Sequence, residues 1–409
     1  MFSRRKFISI AGSSAVIVAA GKAAIDLDKM PSTAIAAWSG PKSTELDLRK
    51  RLLAYAILAP NPHNMQPWIV DLRQLDFIDL YCDRTRLLPK TDPFSRQILI
   101  GHGAFLELLD LAASAAGHRT EITYFPKGEF GDSSLEKLGL SIDERPVASI
   151  RIVPDASRNP DPLFQQILQR RSTKVPFDTT KPLRSDSEKG LTTAYTDLHC
   201  ELTIATDRSR VLGLQGIVKS AMEIEQRTPL IYQETIDVIR IGAREVDRHR
   251  DGITLTGSPI GWGRLLGMVS REKLADQTSA AFKSGEAMSQ EWAISTPAFA
   301  WMTTSDNSRT TQLATGRAYA RLNLKATALG VAMHPVSQVL QEYAEMNVLQ
   351  QRLFATLDIP PERTVQMLVR LGYAKQPNPS PRRDLQDLIR TVNRNGRLKK
   401  IVVADSLSL

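Results

Sequence analysis

Residues 170–178 read RRSTKVPFD, which sets Arg170, Arg171, Ser172 and Lys174 within five positions and an aromatic, Phe177, just beyond. Arginine offers a planar fork that grips a phosphate through two bonds, lysine a point charge, and serine a short hydroxyl. The same residues at a helix C-terminus would cap free carbonyls and relieve the helix dipole. The cluster alone leaves both readings open. A second constellation, PHNMQPW, crowds His63, Asn64 and Gln66 into one turn stiffened by Pro62 and Pro67. Asn and Gln each donate and accept, a pattern suited to the edge of a heteroaromatic ring; a self-bonded turn plugged by Trp68 is the plainer reading. A third, SPRRD, places Arg382 and Arg383 in a proline-rich turn after an apolar strand, either as a solvated pair or as the other half of a phosphate cage.

Other chemistries lack their residues. No GxGxxG follows a strand, and neither GxxxxGK[ST] nor GxSxG occurs. The six histidines are scattered without metal-ligand spacing, and Cys82 and Cys200 form no CxxC or Cys/His cluster, so no metal site is expected and the two thiols read as unpaired and buried. No residue stands out as a dedicated catalytic acid, base or nucleophile. The chain has 409 residues, 42% hydrophobic and 24% charged, with a net charge of +9. That balance supports a sizeable core and suits an anionic ligand, but no dense Lys/Arg block with interleaved aromatics points to nucleic acid.

The elements that must position these residues follow from periodicity. Leu46, Leu48, Leu52, Leu53, Ala56 and Ile57 predict a helix over 42–59. Strands are expected at IVDL, FIDLYCD, RTEITYFP and VASIRIVP, and a long helix over SRQILIGHGAFLELLDLAASAAGH. After a linker at 155–163, a helix is expected from Leu163 into the basic cluster. CELTIAT, AFAWMTT and QMLVRLGYA read as further strands, and TQLATGRAYARLNLKATALGVAM as a second long helix. Gly103 to Gly117 in one long helix matches Gly316 to Gly330 in the other, the spacing of a duplicated α+β unit.

The start, MFSRRKFISIAGSSAVIVAAGKAA, is basic and then apolar over Phe7–Gly21, too short and too diluted to span a bilayer comfortably. SRRKFI is close to the twin-arginine export pattern, with cleavage expected near Ala36 or Ala37 in AIAA. Residues 1–37 are therefore expected to be a targeting segment, read by the twin-arginine export machinery, that leads the folded protein to an extracytoplasmic or periplasmic space without a stable membrane anchor.

Together and in this order, APNPHNMQPW, RRSTKVPFD, TGRAYARLNLKATALG and RLGYAKQPNPSPRR resemble the nitroreductase superfamily, and specifically its duplicated, single-chain Acg-type branch. The resemblance runs from about residue 45 to 390. It implies an α+β fold in which two tandem halves, 42–154 and 163–390, form an intramolecular pseudo-dimer of mixed or antiparallel sheets flanked by long helices. Residues 240–290 would be a lid and 391–409 a tail. It implies FMN as cofactor, with Arg170, Arg171, Ser172 and Lys174 on its phosphate and ribityl chain, Arg382 and Arg383 on the phosphate, and Asn64 and Gln66 beside the flavin, Trp68 being structural. One FMN site is expected, since the first half carries no RRS-type segment. The implied activity is flavin oxidoreduction, with NAD(P)H as a donor and a nitroaromatic or quinone-like small molecule as acceptor, in a monomer. The competing implication is a protein that holds FMN under a lid without turnover.

Overall fold

The computed structural model describes residues 28–131, 141–193 and 200–390. The twin-arginine motif and the tail 391–409 lie outside the described residues. The first helix, α1 (Leu48–Ala56), starts later than its apolar stripe suggests, because Asp47 caps it by accepting the Arg49 backbone N–H at 2.9 Å. Asn61 and Pro62 then begin the turn that leads into β1 (Trp68–Asp71) and β2 (Phe77–Cys82). After α2 (Arg96–Ala115) come β3 (His118–Tyr124) and β4 (Ala148–Pro154), and the four strands form one sheet in the order β1-β2-β4-β3, antiparallel throughout.

The second half begins with α3 (Ser185–Thr193), β5 (Glu201–Ala205), α4 (Arg208–Arg227) and α5 (Pro229–Asp237). The expected lid follows. Here β6 (Ile239–Ile241) and β7 (Ile253–Leu255) pair in parallel, surrounded by α6 (Ala243–His249), α7 (Ser258–Leu265), α8 (Arg271–Ala275) and α9 (Ala280–Ile294). The chain then returns through β8 (Ala298–Thr304), α10 (Arg309–Ala328), β9 (Ala332–Pro335), α11 (Asn347–Thr356) and β10 (Thr364–Gly372). Its sheet runs β5-β8-β10-β9, also antiparallel. Counted within each half, both sheets have strand order 1-2-4-3, with the long helix between strands 2 and 3. The segment expected as a lid is an insertion between the first two strands of the second half.

The two 20-residue helices α2 and α10 join the halves. They touch backbone to backbone. A Cβ added at Gly103 would lie 2.0 Å from the Leu313 carbonyl oxygen, and one at Gly316 would lie 1.9 Å from that of Ile100, so only glycine fits at either position. The cores interpenetrate there: Leu313, Ala320 and Leu324 of α10 pack in the first half's core, while Ile100 of α2 packs in the second half's. Gly117 (φ 71°) and Gly330 (φ 67°) end these helices in left-handed conformation. Cys82 and Cys200 are buried and free, one in each half.

Two segments differ from the sequence reading. The helix expected to end in the basic cluster is only a short 3₁₀ turn, Pro162–Gln166, and residues 170–174 have no helical structure. Pro162 opens that turn, and Thr173 N donates to Met333 O at 2.9 Å, which draws the chain into an extended path beside β9. The expected cleavage point near Ala36 falls inside a folded strap, residues 28–39. In it, Asp28 is buried and its carboxylate accepts from Arg264 at 2.5 Å, while Ala34 and Trp38 are buried further along.

Candidate anion-binding site

The basic segment is stitched to the second half. Asp178 N donates to Tyr373 O at 2.8 Å, and the buried Arg370 donates to Val175 O at 3.2 Å while its guanidinium lies 4.1 Å from the centre of the Phe177 ring. Opened out in this way, the segment sends Arg170 and Arg171 toward the first half, where Arg382 meets them. All three guanidiniums stand over one indole. Their central carbons lie 5.6, 4.3 and 5.1 Å from the Trp38 ring centre for Arg170, Arg171 and Arg382 respectively. Arg170 Nη2 and Arg382 Nη2 both donate to Leu58 O, at 2.9 and 3.1 Å.

No carboxylate accompanies them. Among the described residues none of the three makes an ion pair, and the Nε–H of each is buried without an acceptor. Burial, with Arg171 nearby, pushes the Arg170 guanidinium down to about 10 despite the opposing pull of the Tyr319 phenol. Burial and then the two neighbouring arginines depress Arg382 well below the usual range. Buried charges persist only when compensated. The carbonyl and amide contacts and the indole face meet part of that need, and the unused Nε–H donors match a dianionic phosphate. The Tyr319 hydroxyl, buried and unpartnered, stands against Ser172 and Arg170; burial pushes it up to about 12, so it remains a protonated donor.

The PHNMQPW turn reaches this cluster through Asn64, whose Oδ1 accepts from Arg382 Nη1 at 2.6 Å. His63, Asn64 and Gln66 have φ of 47°, 56° and 51°, the left-handed region that side chains disfavour. Such strain, about 1–3 kcal/mol per residue, persists where surrounding contacts hold it and marks functional turns. Here those contacts come from Gln66. It is fully buried, its Oε1 accepts Arg383 N at 2.9 Å, and its Nε2 donates to Arg250 O at 2.8 Å and Asn64 O at 3.3 Å.

The expected roles therefore divide. Arg170, Arg171 and Arg382 come together, with Ser172 adjacent. Arg383, expected on the phosphate, does not join the cation group, and Gln66, expected beside the flavin, is tied to Arg383. Gln66 spends its whole amide internally, and Arg383 donates to Gln66 O at 3.2 Å with Asp83 3.8 Å away, so both act as internal ties. Asn64 likewise gives its amide hydrogens to Pro381 O and Gly252 O, leaving it a link between turn, lid and Arg382. Trp68 is a buried plug, 5.2 Å from Phe105 between ring centres.

His63, passed over as a single residue, has the orphaned Nδ1 of the turn. Burial first and the Lys174 charge second lower it to about 4, so its ring is neutral at physiological pH. Lys174 keeps solvent-accessible surface, yet protein surrounds it closely enough for desolvation to lower its ammonium, against the pull of Glu225. The Lys174 ammonium is thus exposed beside His63 and Glu225. Glu225 itself is buried and raised to about 7 by that burial, opposed by the Gln341 and Thr235 hydrogen bonds at 3.3 and 3.4 Å and by Lys174. Gln338 Oε1, Gln341 Oε1 and the Tyr343 hydroxyl nearby are buried without partners. No sequence signal marks Glu225, which lies on the amphipathic helix α4. The surface clefts beside Tyr55 and beside His118 hold none of these residues, so the constellation rather than an open cavity marks the site.

No protein-family model matches the chain. It is 33% identical over 133 residues to an uncharacterized protein of Mycobacterium tuberculosis, covering 32% of this chain and 36% of that one. It is 32% identical over 136 residues to a protein of the same organism named as a candidate NAD(P)H nitroreductase, acg, again covering 36% of the relative. These aligned stretches thus span about a third of the relatives' length. Another M. tuberculosis protein named as a candidate NAD(P)H nitroreductase is 21% identical over 352 residues, covering 83% of this chain and 90% of that one. Among solved structures, the chain is similar to a candidate nitroreductase of Anabaena variabilis (13% identity, 84% of this chain, 91% of that one, TM-score 0.42). It is also similar to an FMN-bound nitroreductase of Bacteroides fragilis (15% identity, 61% of this chain, 98% of that one, TM-score 0.30).

Proposed function

We propose that this chain is an FMN-dependent oxidoreductase of the nitroreductase type, built as two tandem halves that form one pseudo-dimeric body with one cofactor site. The observation that carries the reading is the meeting of Arg170, Arg171 and Arg382, drawn from distant parts of the chain, over Trp38 with no acidic partner among the described residues. The matching strand orders and the Gly103–Gly316 crossing support the tandem arrangement. The relatives' nitroreductase names support the reaction class.

The residues present fit FMN. Arg170, Arg171 and Arg382 would hold the phosphate through charge-assisted bonds, and Ser172, Lys174 and Tyr319 would reach the phosphate and the polar chain next to it. Bound FMN would supply two-electron chemistry between a donor, NAD(P)H, and a nitroaromatic or quinone-like acceptor. The protein's own contribution is orientation and charge. Lys174 supplies a cation beside a neutral His63, and the contacts of residues 250 and 252 to Gln66 and Asn64 hold the turn. Glu225 is a carboxyl able to hold or release a proton near neutral pH. The SRRKFI motif supports export of the folded, FMN-loaded chain by the twin-arginine route as a monomer.

The purified chain is expected to be yellow and to keep FMN through gel filtration, and Arg171→Ala or Lys174→Ala to lose it. Bound flavin reduced anaerobically by NADPH and reoxidised by a nitroaromatic would establish turnover. Colourless protein that takes up no FMN would overturn the reading.

A further inference from the structure

We infer that Trp38 and the strap carrying it, residues 28–39, form the floor of the phosphate site, so that tight binding of a flavin phosphate depends on a segment outside every motif that marks the site. The inference rests on the FMN reading above, and the experiment separates the two. Two buried guanidiniums, Arg170 and Arg382, and the half-buried Arg171 repel one another, and among the described residues no carboxylate offsets them. The negative face of the indole, 4.3 Å from Arg171 and 5.1 Å from Arg382, is the group placed beneath all three.

The indole is itself held on two sides. Its Nε1–H donates to Ser380 O at 2.8 Å, and two residues further on Arg382 N donates to Ala34 O at 2.8 Å. Strap and C-terminal turn are therefore zipped together at Ser380 and at Arg382 itself. Trp38 acts as a positioning residue: it orients the cations that would touch the phosphate.

The far end of the strap is fixed to the lid. Gly257 N donates to Asp28 O at 2.7 Å, Ala243 N and Arg264 donate to the Asp28 carboxylate at 3.2 and 2.5 Å, and Thr33 donates to Asp247 at 2.5 Å. One short segment thus bridges the lid and the phosphate site. A peptidase acting near Ala36 would sever that bridge, so processing that preserves the cofactor must fall before Asp28.

The test measures FMN and riboflavin affinity for the full chain by flavin fluorescence, since riboflavin lacks the phosphate. Trp38→Ala is expected to weaken FMN about tenfold, the worth of one or two desolvated cation–π contacts, while leaving riboflavin within about twofold. Trp38→Phe, which keeps a ring but loses the N–H, should fall between wild type and Trp38→Ala, and it decides the matter if Trp38→Ala fails to fold. Hydrogen exchange should show that FMN protects residues 28–39 and that riboflavin does not. Unchanged FMN affinity, or equal losses for FMN and riboflavin, would overturn the inference while the FMN reading stands. A wild-type chain that binds no FMN would instead bring down that reading.

Discussion

Two groups of arginines sit near the junction of the halves, and they are opposites. At the α2–α10 interface Arg317 donates to Glu107 at 2.7 Å, Arg321 to Glu107 at 2.8 Å and to Asp161 at 2.7 Å, and Arg158 to Asp110 at 2.8 Å. Burial opposes those charges, yet Glu107 holds the Arg317 pKa above its ordinary value. Over Trp38, Arg170, Arg171 and Arg382 face carbonyls, amides and an indole, and burial lowers all three. The first group is complete as it stands and locks helices together. The second holds positive charge that its surroundings do not cancel, which is how a protein prepares for an anion. Counting arginines would not separate them; their partners do.

The largest effect is expected where the paired group is anchored. Gly316→Ala drives a methyl into the Ile100 carbonyl, and the crossing of α2 and α10 should lose about 4 kcal/mol or more in urea denaturation. A wild-type midpoint would mean the halves are less tightly joined than their geometry implies.

The next prediction concerns Glu225, the carboxyl whose charge Lys174 feels on the unpaired side. Its folded pKa of about 7 lies above the ordinary 4.5, so the stability it lends is whole below pH 4.5 and is lost as pH rises through 7. That loss should approach about 3 kcal/mol and should vanish in Glu225→Gln, as read by thermal melts across that range. The groups facing it are Lys174, Gln341, Thr235, Tyr232 and Tyr343. Equal pH profiles for the two proteins would show that Glu225 is not the group titrating.

Removing Glu107 should sharpen the contrast between the arginine groups. Glu107→Gln takes one carboxylate from both Arg317 and Arg321, which keep Asp110 and Asp161 and some contact with water, so a cost of about 2 kcal/mol is expected, with FMN affinity unchanged. Arg171→Ala should do the reverse. Stability should move by less than about 1 kcal/mol because no ion pair is broken, while FMN affinity falls about a hundredfold, the worth of two charge-assisted bonds. If both variants lost stability alike, the distinction between the groups would fail.

Much of this was legible beforehand, and for local reasons. Alternating and helical apolar patterns located most strands and both long helices, and Gly117 and Gly330 announced their left-handed ends. The RRS segment, the NMQPW turn and the SPRR turn were visible as chemistry because their residue types are unusual in such company. The failures were of another kind. The amphipathic run into Arg170 looked helical, but a backbone bond to Met333 pulls it straight. Gln66 and Arg383 looked like ligand groups, yet they satisfy each other across the fold. Trp38 falls just past the expected leader, residues 1–37, and neither it nor Glu225 belongs to any motif.

The sequence by itself determined which segments become helix or strand and which side chains carry phosphate-binding chemistry. Those follow from backbone sterics, side-chain period and functional-group type, all local properties. Only the tertiary structure decided which arginines keep an unmet charge, which amides are used up internally, and which indole lies beneath the cations. Those depend on partners far away in the chain, such as Trp38 and Ser380, and desolvation makes the presence or absence of each partner decisive.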